Sequence, residues 1–410
     1  MTQLRFPILC IMLLGAVALG GCNSTPAPVT NALVLYDSGN YTAAAAELKP
    51  LASQKTENFV LNSCRYGSCA LAAGELSDAE QAFMQAYEVI NGVNTNDGGR
   101  TLGATLVFEG VKVWKGEPFE RAMAHYYLGL INLIKTPPDY ENARAAFRNS
   151  LFKLRAYAVD KKGEPEADQY QAFESNFALG FFGLGYAYLR DVTVPDHLAQ
   201  AKANFDMAVK LQPTLADVVD QVMNPDTNTL LFVDYGSGPK RSPKGWYNEE
   251  SAFGPTPAEA GPIPPAALFV DGQQRPIPSR TSMVDTLAMA QDQKWQDIDT
   301  IRKTKAVIGT GAMAAGAGVT AYGADRGDAG TALAGVGIMA LGAALAASSQ
   351  ADLRYWEFLP RTVYVIPAHI DPGTHNVQVN VNGHVSPPFN ATIRPKVPNG
   401  PDTVLYLRIQ

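Results

Sequence analysis

Residues that carry chemistry are scarce in this chain. Its 410 residues include four cysteines and five histidines, with no CxxC, HExxH, GxSxG or Walker A pattern. Cys64 and Cys69, five positions apart, fall on different faces of a helix and about 7.5 Å apart along its axis, too far for an unstrained bridge. Two small buried helix residues are the expectation. Charge is thin too. Only 18% of residues are charged, the net charge is −6, and no basic tract occurs, which argues against nucleic-acid binding. Gly309, Gly311 and Ala314 satisfy GxGxxA, but no strand precedes them to make a dinucleotide site. His369, His375 and His384 have no carboxylate or cysteine at ligand spacing, so the reading is hydrogen-bonded or exposed histidines rather than a metal site. No catalytic, cofactor or metal site is expected.

What is present begins with a leader. Arg5 precedes an apolar run from Ile8 to Leu19, and Leu19-Gly20-Gly21-Cys22 resembles the lipobox of a bacterial lipoprotein. The resemblance implies cleavage before Cys22 and a lipid on its thiol. Residues 1–22 would be the signal peptide and 23–31 a structureless tether. Asn23 is not the aspartate of an inner-membrane retention signal, so an outer-membrane anchor facing the periplasm is expected.

Residues 32–220 read as helix pairs. Between Asn62 and Asn91, Gly67, Gly74, Ala79, Phe83 and Ala86 alternate small and aromatic positions at fixed intervals. A small residue in each helix lets two backbones approach, and Phe83, one turn beyond Ala79, fills the gap. The pattern returns in Gly39, Ala44 and Leu48, in Leu128, Gly129, Ala143 and Phe147, and in Leu184, Gly185, Tyr188, Ala201, Phe205, Ala208 and Pro213. These positions resemble tetratricopeptide repeats, whose pairs stack into an α-solenoid. Polar insertions near residues 94–114 and 160–168 interrupt the array.

The character changes after Pro213. Residues 228–280 are rich in Pro and Gly, with an apolar strand at Leu230–Val233, a basic cluster of Lys240, Arg241 and Lys244 beside Trp246 and Tyr247, and a hairpin turning at Asp271-Gly272. Residues 281–352 read as a helix from Ser282 to Lys305, then two charge-free arms, Ala306–Ala324 and Ala329–Ser349, joined by Asp325-Arg326-Gly327-Asp328. Small residues recur every fourth position, and the arms are expected to pack through Gly316 and Gly342. Three readings stand open: a membrane-inserting or self-associating hairpin, a hairpin buried in a soluble fold, or a flexible link. Residues 357–410 alternate as short strands, a small β-sandwich whose PG-x-H-x-V-x-V run resembles a PEGA or carboxypeptidase-regulatory hairpin.

The expected fold is therefore mainly α: a tetratricopeptide-like α-solenoid, a Gly/Ala-rich hairpin and a C-terminal β-sandwich. This order of parts resembles a group of Gram-negative tetratricopeptide lipoproteins. It implies a non-enzymatic, lipid-anchored scaffold for an envelope protein or peptide, in a sharper version an assembly or regulatory factor for cell-wall or surface-structure machinery. The alternative is a membrane-active or oligomeric export-channel accessory built on the hairpin.

Overall fold

The computed structural model describes residues 26–91, 113–153, 176–244, 250–255, 261–278, 281–291, 312–347, 352–397 and 400–410. The leader, Cys22, Gly309, Gly311, Trp246, Tyr247 and most of both polar insertions lie outside the described residues. The chain is mainly helical, with strands gathered in its second half, and divides into two compact units.

The larger unit comprises residues 31–241, 253–295 and 354–410. Helices come in pairs: α1 (Ala27–Asp37) with α2 (Tyr41–Ala52), α3 (Phe59–Ala72) with α4 (Leu76–Asn91), α5 (Pro118–Ile134) with α6 (Tyr140–Lys153), and α7 (Ala178–Arg190) with α8 (His197–Leu211). Pro213–Leu215 and α9 (Ala216–Met223) close the series. The tether expectation fails in its second half, because α1 already begins at Ala27. The Pro26 carbonyl accepts from the N–H groups of Val29 and Thr30, and Pro28 sits in the first turn, where a missing N–H leaves no bond unmade.

One contact holds three of these pairs. A Cβ added to Gly67 would lie 2.9 Å from the Phe83 ring, on Gly129 2.7 Å from Phe147, and on Gly185 2.9 Å from Phe205. Only a residue without a side chain leaves room for that ring. Ala79, Ala86, Ala143, Ala201 and Ala208 are buried beside the phenylalanines. α3, α5 and α7 are buried nearly all round, whereas α4 and α8 bury one stripe. A helix apolar on every side must be covered on every side, and strands supply the second cover.

β1 (Thr229–Tyr235) is central in a four-stranded sheet. It pairs in parallel with β11 (Thr403–Ile409) and antiparallel with β7 (Thr362–Ala368), which in turn pairs with β6 (Ser282–Asp285). A second sheet joins β4 (Ala266–Val270), β5 (Gln273–Arg275), β8 (Gly373–Val381), β9 (His384–Val385) and β10 (Phe389–Ile393). β2 (Lys240–Lys244) and β3 (Glu250–Gly254) make a separate ribbon. Leu231, Val233 and Ile366 of the first sheet share one core with Leu268, Val377 and Val379 of the second. Regions 228–280 and 357–410, expected as separate, thus interleave in the same sheets. Residues 282–285 are strand rather than helix, because pairing with β7 overrides their local pattern, and α10 (Thr286–Gln291) follows. Asp271-Gly272 and Asn382-Gly383 turn as expected, each with two successive positive φ angles (51° and 75°, 54° and 85°).

The other face of the first sheet lies on the helices. Phe232 meets Tyr126 and Phe182 at ring distances of 6.4 and 6.5 Å, and Tyr127 donates to Asp234 Oδ2 at 2.6 Å. All of β1 and β7 is buried.

In the smaller unit, residues 312–325 form α11 and Ala329–Ala347 form α12, an antiparallel hairpin. The flexible-link reading fails here, since both arms are helical. Within the hairpin, from residue 312 to 341, only Gly316, Gly323 and Gly335 are buried. A Cβ on Gly316 would stand 2.5 Å from the Met339 backbone nitrogen, and one on Gly335 2.4 Å from that of Thr320. Gly342 lies in α12, about two turns beyond Gly335. Among the described residues no helix is long and apolar enough to cross a membrane.

Candidate binding cleft

In a helical array the sheet-facing side is the first place to look for a partner, and here the chain fills it. The segment 354–359 crosses that side. Trp356 is 1% exposed, packs on Phe83 and Tyr127 (5.8 and 5.9 Å between ring centres) and donates from its indole to Ser68 Oγ at 3.1 Å. Its backbone N–H donates to Glu120 Oε1 at 2.6 Å. Glu357 receives both arms of the Arg65 guanidinium, at 2.7 and 2.5 Å, and Phe358 meets Tyr36 edge-on at 4.9 Å.

Charges buried at this contact follow from the same arrangement. Burial pushes the Glu120 carboxyl up to about 8, although the backbone N–H groups of Glu117 and Trp356 favour its ionised form. Burial likewise raises Asp234 to about 6, opposed by Arg408 and by the hydroxyls of Tyr127 and Tyr406. Arg408 stacks over Tyr36 at 5.2 Å and donates to the Gly236 carbonyl at 2.6 Å. Asp234 and Arg408 stand opposite each other in the parallel β1–β11 register.

Among the described residues an open concavity lies elsewhere, at the end of the array. α7 ends at Arg190, and Asp191 caps it, accepting from the Thr193 backbone and hydroxyl and pairing with Arg144. The chain turns through Asp196, at φ 58°, into α8. Opposite runs the stretch between β10 and β11. A cleft of about 500 Å³ separates them, lined by Leu189, Arg190, Val192, His197, Leu198, Pro225, Lys396, Val397 and Gly400. Three of its apolar side chains face water: Val192, Leu198 and Val397 are 44%, 55% and 50% exposed.

Its cations are held by one carboxylate. Asp402, 3% exposed, takes Arg190 Nη2 at 2.6 Å, Lys396 Nζ at 2.6 Å and the Tyr186 hydroxyl at 3.0 Å. Lys396 also donates to the Thr227 carbonyl at 2.7 Å. Two cations against one carboxylate leave about one positive charge beside an apolar rim, an arrangement that suits an apolar group carrying a carboxylate.

Of the residues singled out in the sequence, Gly67, Ala79, Phe83, Ala86, Ala143, Phe147, Gly185, Ala201, Phe205 and Ala208 build the array rather than the cleft, though α8 contributes both. The basic cluster disperses: Arg241 pairs with Glu117 at 2.8 Å and lies over the Phe253 ring. The histidines also separate, His375 bonding Asp271 at 2.7 Å and His369 the Asp226 carbonyl at 2.6 Å. Cys64 and Cys69 are free and buried, and burial pushes both thiols up. Sequence reasoning missed Glu357, Asp234, Arg408 and Asp402. For two of them a signal existed: one charge in each of the otherwise apolar runs LLFVDY and VLYLRI. No family model, curated protein or solved structure matches the chain.

Proposed function

We propose that this chain is a lipid-anchored envelope scaffold that holds an extended, carboxylate-bearing apolar segment of a partner protein or peptide in the cleft at the end of its helical array. In this reading the array is a tetratricopeptide-like solenoid, the two sheets form a β-sandwich that stabilises it, and Cys22 carries the lipid on the periplasmic side of the outer membrane. The repeated seating of Phe83, Phe147 and Phe205 on Gly67, Gly129 and Gly185 supports the solenoid, and the core shared by both sheets supports the sandwich. The observation that carries the function is the contrast between a helical surface already filled by Trp356 and an open, apolar-rimmed cleft over Arg190 and Lys396.

The test is fluorescence anisotropy with short apolar peptides ending in either a free carboxylate or an amide. The free acid should bind about tenfold or more tightly, the effect of one charge-assisted contact. Leu198→Asp and Lys396→Met should each abolish the preference, and Leu198→Asp should do so without lowering the melting temperature appreciably. Equal binding of acid and amide, or binding unaffected by both substitutions, would remove the cleft from the account.

A further inference from the structure

The hairpin leaves its outer surface uncovered. Inside it the two backbones touch, so the seam has room for glycine and nothing larger: a Cβ on Gly323 would sit 2.4 Å from the Ala332 nitrogen. Several of the larger side chains face outward, although Met339 lies against Gly316 in the seam. Tyr322 is 54% exposed, Leu333 71%, Val336 40%, Ile338 38% and Leu341 69%. No polar side balances them, since neither arm carries a charge between Ala306 and Ala324 or between Ala329 and Ala351. A helix pair whose only buried residues are glycines gains almost nothing from burial in water, while each interior glycine costs about 1 kcal/mol of helix stability.

Two further features concern what covers it. Charge is confined to the ends: Asp325, Arg326 and Asp328 at the turn, with Lys305 and Asp352 the nearest charges in sequence beyond the arms. The apolar arms are thus kept apart from the charges, as burial of their outer surface among acyl chains requires. The two threonines on the described arms are also internally satisfied. Thr320 donates to the Gly316 carbonyl at 2.8 Å and Thr331 to Asp328 Oδ2 at 2.5 Å, while Asp328 Oδ1 accepts from the backbone of Gly330 and Thr331. In water such hydroxyls need no internal partner; in lipid they do.

We infer that the hairpin is a second membrane contact, independent of Cys22 and of the cleft, whose outer surface is covered by lipid acyl chains. A partner docking on one face would leave the opposite face bare. Lipid covers all faces alike, and the inference concerns insertion into the layer, not crossing of it.

The experiment uses the full chain with Cys22→Ala and an ordinary secretory leader, so that no acyl chain is attached. It is mixed with phosphatidylethanolamine–phosphatidylglycerol vesicles and floated through a density gradient. The protein should float, resist alkaline and high-salt washing, and lose flotation in the Leu333→Asp/Leu341→Asp double variant. Tyr322→Trp provides a readout that keeps the apolar surface: the emission it adds over the four native tryptophans, taken as the difference from the parent protein, should shift to the blue with vesicles and be quenched by brominated acyl chains. A protein that stays at the bottom of the gradient overturns the inference. So does one that forms oligomers without vesicles and whose tryptophan at position 322 escapes the brominated lipid, which would assign the surface to a second copy of the chain.

Discussion

Two regions of this molecule use glycine to bring helices together, and they obtain opposite things from it. In the helical array, Gly67, Gly129 and Gly185 each make a seat for an aromatic ring from the next helix, and the rings form a core. In the hairpin, Gly316, Gly323 and Gly335 seat backbone, and beyond those glycines nothing is buried from residue 312 to 341. Close approach is thus not stabilising in itself. It stabilises the array because the volume it opens is filled by phenylalanine, and it leaves the hairpin dependent on whatever covers its outside.

The comparison can be broken most forcefully at Trp356, the aromatic that the array borrows from outside its helices. Trp356→Ala should cost about 3–5 kcal/mol in chemical denaturation of the larger unit. Helicity of the hairpin, followed through a probe on Tyr322, should not change. Loss of both together would mean that the two regions are not separately stabilised.

Protonation gives the next largest effect. Glu120 and Asp234 have folded values of about 8 and about 6, above the 4.5 and 3.8 of the unfolded chain, so the folded state binds these protons more tightly. The associated stability is complete below the unfolded values and is lost as pH rises through the folded ones. The larger unit should therefore be more stable at pH 5 than at pH 8, by about 2–4 kcal/mol. Glu120→Gln should flatten most of the difference. The apolar arms of the hairpin carry no carboxylate or histidine, and their helicity should not follow this profile.

Packing substitutions come third. Ala79→Leu or Ala201→Leu should cost about 1–3 kcal/mol by overpacking the helix pairs, read in thermal melts. Gly67→Ala should also destabilise, because the Phe83 ring has to move. The smallest effects separate the two sides of the hairpin. A Cβ on Gly337 meets nothing within 4 Å, so Gly337→Ala should raise helicity, worth up to about 1 kcal/mol. Gly335→Ala should part the arms, which a distance probe between positions 320 and 335 would detect.

Legibility in the sequence follows from how local each constraint is. The helix pairs were readable because their packing repeats at fixed short spacing, so Gly67 with Phe83 or Ala201 with Phe205 appears within about twenty residues. The turns at Asp271-Gly272 and Asn382-Gly383 were readable because they depend on two residues each. The pairing of β1 with β11 was not, since Thr229 and Thr403 are brought together only by the tertiary fold. Ser282–Asp285 read as helix for the same reason. The cleft escaped entirely, because Arg190 at the end of α7 meets Lys396 and Asp402, both between β10 and β11, only through the tertiary fold. Trp356, beside Tyr355 just after the hairpin, reads in the sequence as a membrane-interface aromatic or as the start of a domain core. Its place against Phe83 and Tyr127 depends on helices more than two hundred residues earlier.

The sheet-facing side of the helical array is occupied by the chain's own Trp356 segment, and the proposed partner site is the end cleft. Native-state hydrogen exchange at the Trp356 amide tests it most directly, because that N–H donates to the buried carboxylate of Glu120. Exchange should occur only through global unfolding, as slow as the amides of β1, both alone and with a carboxylate peptide bound. Exchange at the rate of an open loop, or loss of protection when the peptide binds, would show that the segment leaves its seat and would contradict the account.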